Sequence, residues 1–448
     1  MVGDMKRRSL IKATPALTFP FLLPSKVWAD PPSKKLAHAS IGVGGMQGGS
    51  DMGAIFASGL VEMVALCDVD SGHLNAAAAA HPNAQKFQDW RELLEKVGDK
   101  IDSVNIALPD HMHASIALAA IAKKKHVYCQ KPLAHTVWEA RQMKLAAKAA
   151  GVVTQMGNQI QSDSTYRTAV KMIRDGVIGK IKEVRCWCNS SFSHPGRPEG
   201  EDPIPEGFKW DNWLGVAPAR PFKNGVYHPV QWRGWQDFGG GTLGDFCCHI
   251  MDTPFKALDL TAPLSIVGDS PKEWAENPKI NREVWPVWES VTYEFPGTAF
   301  TADKTIKLTW SDNAKRPSTE GVPLDEGREL PPSGSLFIGE TGVMLLPHVA
   351  RAQLLPYAAD RAYKPTLVPG DPQQHYTKFA QTCLGLEGAE TTSNFNYAAP
   401  LAETGLLGLI AVRFPGQKLQ WNAETLEFAN HPEATAMIKP KFRENWGH

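Results

Sequence analysis

Apolar residues fall in short runs through the first third of the chain, each closed by a turn or by a helix-like pattern. Such runs predict buried strands at 37–43, 61–68, 101–108, 125–129 and 152–156. Helical stretches at 90–97, 113–124 and 136–150 separate them, and the last opens on Thr136-Val137-Trp138-Glu139, a capping box. Strands alternating with helices of this length predict a doubly wound parallel sheet, an α/β dinucleotide-binding (Rossmann) domain over 37–157.

The pattern changes after residue 158. A helix is predicted at 165–175, then an alternating strand at 181–189 and further strands at 291–295, 305–310, 335–338 and 343–346. Their hairpin-like spacing predicts an α+β domain over 158–448 with a large, open, mostly antiparallel sheet. Helices near 373–386 and 398–412 are expected to pack that second domain. The stretch 190–238 is loop-rich, with Trp210, Trp213, Trp232 and Trp235 among many prolines. Loops of this length in a compact domain are usually functional. Indole faces beside Arg233 suit a sugar, which offers C–H faces to stack on and hydroxyls to bond, so Arg233 and Trp235 are expected at the substrate. Core packing of the four indoles is the alternative.

Composition narrows the class. A chain of 448 residues with 43% apolar content can bury two or three domains. Formal charge is zero and no basic cluster follows the first dozen residues, so no nucleic-acid partner is expected. No run of about 18 apolar residues predicts a membrane span.

The first 29 residues read as a processing segment. Lys6, Arg7 and Arg8 precede an apolar run over 13–23 and then Val27-Trp28-Ala29, resembling a twin-arginine export signal cut after Ala29. A periplasmic protein is the expectation, with 42 basic against 46 acidic residues left after cleavage. That route moves folded proteins, so a cofactor would be inserted before transport and retained. The seven cysteines form no C-x-x-C pair and read as buried free thiols.

Candidate chemistry begins where the first strand runs into Gly42-Val43-Gly44-Gly45-Met46-Gln47-Gly48. A strand, glycine turn and helix let backbone N–H groups approach a pyrophosphate at the positive helix end. The pattern departs from G-x-G-x-x-G, its third glycine arriving one place late. Asp68, at the end of the second strand, stands where an acid bonds a ribose hydroxyl, which favours NAD over NADP. Ligands of such sheets lie outside the C-terminal strand ends, so Pro109, His113, Gln130, Lys131 and Asn158 join Gly42, Gly44, Gly45, Met46 and Asp68 as expected cofactor contacts. Later, a glycine-rich entry precedes Asp245 and His249, an i, i+4 pair on one helical face with Asp252 a further turn on. Such a pair can share a substrate hydroxyl; a surface pair or a metal site has the same spacing, and no metal is expected.

Leu108-Pro109-Asp110-His111-Met112-His113, Gln130-Lys131-Pro132, Gly176-Val177-Ile178-Gly179 and Asp245 with His249 together resemble the glucose-fructose oxidoreductase, inositol dehydrogenase and MocA family. That family carries T-P-N-x-x-H and E-K-P in its first domain. Here Asp110 stands in the Asn position and Gln130 in the Glu position. The resemblance spans roughly 37–260 and implies a catalytic set of Lys131 beside the nicotinamide, Asp245 on the substrate and His249 as general acid or base. It further implies hydride transfer between a sugar or sugar-like polyol or glycoside and tightly bound NAD, in a homo-oligomer joined through the open sheet. Two alternatives stay open: a redox-neutral NAD-dependent glycosidase on the same fold, and a non-catalytic secreted carbohydrate-binding protein.

Overall fold

Six short strands build one all-parallel sheet: β1 (Leu36–Ile41), β2 (Val61–Cys67), β3 (Gln85–Phe87), β4 (Ser103–Ile106), β5 (His126–Cys129) and β6 (Thr154–Met156). Their order is β3-β2-β1-β4-β5-β6 in the computed structural model, which describes residues 35–439 and 441–446. The export-like segment 1–29 lies outside the described residues. Strands β4 and β5 are buried almost throughout; β5 accordingly runs Val127-Tyr128-Cys129, while β4 alternates yet buries its polar Ser103 and Asn105 against the His38 ring nitrogens at 2.8 and 3.0 Å.

Helices α1 (Gly45–Ala57), α2 (Ser71–Ala80), α3 (Trp90–Val97), α4 (His113–Ala122) and α5 (Val137–Ala150) connect these strands. In α3 the Asp89 carboxylate accepts the Arg91 N–H while Leu93, Leu94 and Val97 form the buried stripe. The capping box of α5 is present in both directions: Thr136 Oγ1 accepts from Glu139 N, and Glu139 Oε2 accepts from Thr136 N at 2.8 Å. Sequence pattern missed β3 and α2 for physical reasons. Two of the three residues of β3 are exposed, and α2 buries only Leu74 and Ala77, too few for a stripe.

The second sheet has nine strands: β7 (Ile181–Cys188), β8 (Ser265–Asp269), β9 (Ser290–Pro296), β10 (Thr305–Asp312), β11 (Gly334–Gly339), β12 (Val343–Pro347), β13 (Gln353–Leu355), β14 (Lys418–Asn422) and β15 (Glu427–Phe428). Their order is β13-β12-β11-β7-β10-β9-β8-β14-β15, and every pairing except the parallel β7–β10 is antiparallel. Strands β9 and β14 alternate buried and less buried residues, as expected of a sheet packed on one face. Helix α6 (Ser164–Arg174) leads into β7.

Two expectations are corrected. The helix Gln373–Cys383 packs on the first sheet, where Tyr376, Phe379, Ala380 and Cys383 join Leu36, Ile55, Val61 and Tyr128 in one apolar cluster. Trp235 does not wall a sugar site. It is 1% exposed, stacks on His194 and donates its indole N–H to Val226 O at 2.9 Å. With Trp210, Trp213, Trp232, Phe222, Tyr227 and Phe238 it forms a satellite core that gives the 190–238 stretch its fold, aided only by the short helix α7 (Trp210–Leu214) and a turn at Gln231–Gly234.

A bidentate ion pair, Arg141 to Glu403 at 2.8 Å through both nitrogen–oxygen contacts, ties α5 to the helix Phe395–Ala411. All seven cysteines are buried and unbridged. Among the described residues no helix is long and apolar enough to cross a membrane.

Candidate active site

The glycine turn between β1 and α1 is shaped by close approach. A Cβ at Gly42 would lie 2.2 Å from Ala107 O and one at Gly44 2.1 Å from the His73 ring. Helix-to-strand packing, which the third glycine of the motif supplies, falls to the displaced Gly48, whose Cβ would sit 2.5 Å from Gly42 O. No side chain caps α1, so its first-turn N–H groups are left for a ligand oxygen, and Gly45 and the exposed Met46 stand at that end. Asp68 reaches the same turn. Its Oδ2 accepts from Val43 N and Gly44 N at 3.0 Å, placing a carboxylate beside the turn that would repel a ribose phosphate. These features fit NAD.

The loop after β4 supplies Pro109, Asp110, His111 and His113. His113 is fully buried and its two ring nitrogens lie 2.7 Å from Pro132 O and 2.9 Å from Leu108 O, so it braces the two strand-end loops and has no nitrogen left for a cofactor. Asp110 Oδ2 accepts from Gly240 N at 3.2 Å, while Oδ1 is buried without a partner. Burial, reinforced by the nearby Asp245 charge, pushes the Asp110 carboxyl up to about 8, so it carries a proton at neutral pH.

Two more expected cofactor contacts are turned inward. Asn158 is fully buried and donates to Asp252 Oδ2 at 3.1 Å, and Gln130 is 4% exposed and bonded to Asp51. Asp252 itself is fully buried and also accepts from Gln161 at 2.8 Å and from the Tyr397 hydroxyl, so it is a core group rather than a third member of the Asp245–His249 face.

Helix α8 (Gly241–Ile250) carries the remaining groups. Asp245 Oδ1 accepts from Lys131 Nζ at 3.0 Å and from Arg233 Nε at 2.9 Å, and the Lys131 ammonium also reaches Asp245 O at 3.4 Å. Lys131 thus faces a carboxylate of the second domain. Burial opposes ionisation of Asp245, but the Lys131 and Arg233 cations outweigh it and hold the carboxyl at about 2. One turn on, burial and then the Lys131 charge push His249 down to about 3, leaving a neutral imidazole. A small, open cleft lies beside His249, lined also by Tyr166, Thr253, Ser335 and His348. The His348 ring centroid lies 5.8 Å from that of His249.

Sequence reasoning therefore singled out Lys131, Arg233, Asp245 and His249, which the fold brings to one place. It missed His348 and Asp51. Neither belongs to a motif, since His348 meets His249 and Asp51 meets Gln130 across a large sequence separation. Among the described residues no group of three or more His, Cys, Asp or Glu is placed to hold a metal ion.

Residues 37–158 match the model of an oxidoreductase family with an NAD-binding Rossmann fold, and residues 165–297 match that family's C-terminal alpha/beta domain. Levoglucosan dehydrogenase of Pseudarthrobacter phenanthrenivorans is 30% identical over 165 residues, which are 37% of this chain and 34% of that protein. The 1,5-anhydro-D-fructose reductase of Ensifer adhaerens is 30% identical over 207 residues, 45% of this chain and 50% of that protein. The matched segments thus span half or less of these relatives. Among solved structures, the WlbA dehydrogenase of Bordetella pertussis in complex with NADH and UDP-GlcNAcA superposes with a TM-score of 0.59 at 18% identity, covering 87% of this chain and 99% of that one. The aldose-aldose oxidoreductase of Caulobacter crescentus gives 0.56 at 17% identity, covering 86% and 99%. At these identities the likeness is one of fold.

Proposed function

The chain belongs to the Gfo/Idh/MocA oxidoreductase family, and from that premise we propose that it oxidises a secondary hydroxyl of a sugar or sugar-like polyol or glycoside with NAD. The observation that carries this reading is the convergence of Lys131 and Arg233 on Asp245 Oδ1, one helical turn from the neutral His249. Bound NAD would supply the hydride acceptor.

The protein's part is to hold the hydroxyl and move its proton. A sugar hydroxyl at the Lys131 ammonium receives a hydrogen bond that strengthens as negative charge develops on oxygen. The uncharged His249 can accept the proton, so the carbinol C–H and O–H are lost together and a carbonyl remains. Asp245 fixes both cations and keeps the centre from carrying two unbalanced positive charges. The family relatives named for sugars support a carbohydrate substrate.

Export by the twin-arginine route, with NAD retained and regenerated in place, and a homo-oligomer are part of the same proposal. The dibasic, apolar and Val27-Trp28-Ala29 pattern supports the first. Recovery from a periplasmic fraction of a chain beginning after Ala29 is the expected result, and a full-length chain confined to the cytoplasm would exclude it.

The reaction itself is tested by incubating the protein and NAD with a panel of sugars and glycosides and weighing the products. A product two hydrogens lighter than its sugar supports oxidation. A cleaved glycoside without net oxidation would replace this reading with the redox-neutral glycosidase.

A further inference from the structure

Gln130 occupies a position whose side chain must do two opposite things. Its Nε2 donates to Asp51 Oδ2 at 2.6 Å, and its Oε1 accepts the backbone N–H of Lys131 at 3.1 Å. An uncharged amide does both, whereas an ionised carboxylate at 130 would stand at hydrogen-bond distance from a second carboxylate with no donor between them. Gly157 packs directly on the amide, where a Cβ would lie 2.5 Å from Gln130 Nε2.

Asp51 is equally constrained. It projects from α1, is 0% exposed, and its Oδ1 accepts from Gln47 Nε2 at 2.9 Å and from the Tyr376 hydroxyl at 2.9 Å. Three segments therefore fix one buried carboxylate: α1 itself, the loop after β5 and the helix Gln373–Cys383. A buried carboxylate with three donors is costly to disturb, and it orients whatever donates to it.

We propose that Asp51 is a positioning residue for Lys131. Its carboxylate orients the Gln130 amide, the amide holds the Lys131 backbone, and Lys131 Nζ is thereby set on Asp245. Asp51 and Gln130 then form an exchangeable pair, one carboxylate and one amide, in which the sum matters and not which position carries the charge. In Asp51→Asn with Gln130→Glu, the new carboxylate accepts from Lys131 N and from the Asn amide, whose oxygen still faces Gln47 and Tyr376.

The reading of Lys131 as catalytic rests on the proposed function, but the test does not. The full-length chain is trace-labelled with acetic anhydride and the acetylation of Lys131 is compared by peptide mass with that of exposed lysines. In folded D51N and in Q130E, Lys131 is expected to label about tenfold faster than in the parent, the scale of one lost buried hydrogen bond. In D51N/Q130E it returns to within about twofold of the parent, as restoring one buried hydrogen bond implies. A purely structural network would lower melting temperatures and leave Lys131 labelling in the folded chain unchanged. Unchanged labelling in the single variants, or no recovery in the exchange, overturns the proposal. Should D51N not fold alone, Q130E and the exchange carry the same decision. Recovery in the exchange by a protein that oxidises no sugar would keep the pairing and remove the proposed reaction.

Discussion

Asp245 Oδ1 lies 3.0 Å from Lys131 Nζ although 114 positions separate them in the chain. This contact joins the strand-end loop of the parallel sheet to the helix that carries His249, and it balances charge at the centre of the site. Asp245→Asn leaves Lys131 and Arg233 facing each other without an anion. We expect turnover to fall at least about a hundredfold, the scale of a lost catalytic acid–base partner. Stability should drop on the order of 3 kcal/mol, the usual cost of breaking a buried pair. The Asp245 carboxyl is held at about 2, below its unfolded value, so its contribution is present above about pH 4 and lost as pH falls through about 2. Urea titrations of parent and variant should therefore converge in acid.

His249 is pushed down to about 3, so between about pH 6.5 and 3 the unfolded chain binds a proton that the folded chain refuses. Stability must fall as pH drops through that window, and His249→Gln should soften the fall. His249→Ala should lower turnover at least about a hundredfold at neutral pH. A variant with the parent's acid profile and turnover would remove the imidazole from the account.

Asp110 has the opposite sign. Its carboxyl is held at about 8, above the unfolded value, so the folded chain keeps a proton that the unfolded chain releases between about pH 4 and 8. Parent stability declines with rising pH over that range, and Asp110→Asn, which needs no proton, should escape the decline. At pH 8 the variant is expected to gain on the order of 5 kcal/mol relative to its difference from the parent at pH 4, at about 1.4 kcal/mol per pKa unit over about four units. Parallel pH profiles of the two proteins would contradict a buried, protonated Asp110.

Trp235→Ala should cost about 3–5 kcal/mol of stability, as truncating a buried aromatic does, and Trp235→Phe much less. Chemical denaturation decides this. A Trp235→Phe chain that is fully stable and loses sugar binding would restore the indole to the substrate site.

Local pattern made much of this legible. Apolar runs marked the central strands because parallel sheets bury both faces, and Asp245 with His249 could be paired because they share one helical face. Arrangement across the chain was not legible. Nothing in the sequence around Asp51 says that it meets Gln130, 79 residues away, or that Tyr376 closes the same network. His113 and Asn158 sit at strand ends, where ligands bind, yet their side chains are spent on Leu108 O, Pro132 O and Asp252. Proximity to a strand end locates a residue without fixing which way its side chain turns. The short β14 and β15 escaped notice because only Leu419, Trp421 and Phe428 mark their buried face.

The most direct measurement is the appearance of reduced nicotinamide when a sugar is added to the purified protein with NAD. Reduction by at least one sugar of a broad panel is expected, with a Lys131→Ala protein that binds NAD but reduces it at least about a hundredfold more slowly. Nicotinamide that stays oxidised with every sugar while bound to the protein, or a Lys131→Ala protein as fast as the parent, would contradict the proposed reaction.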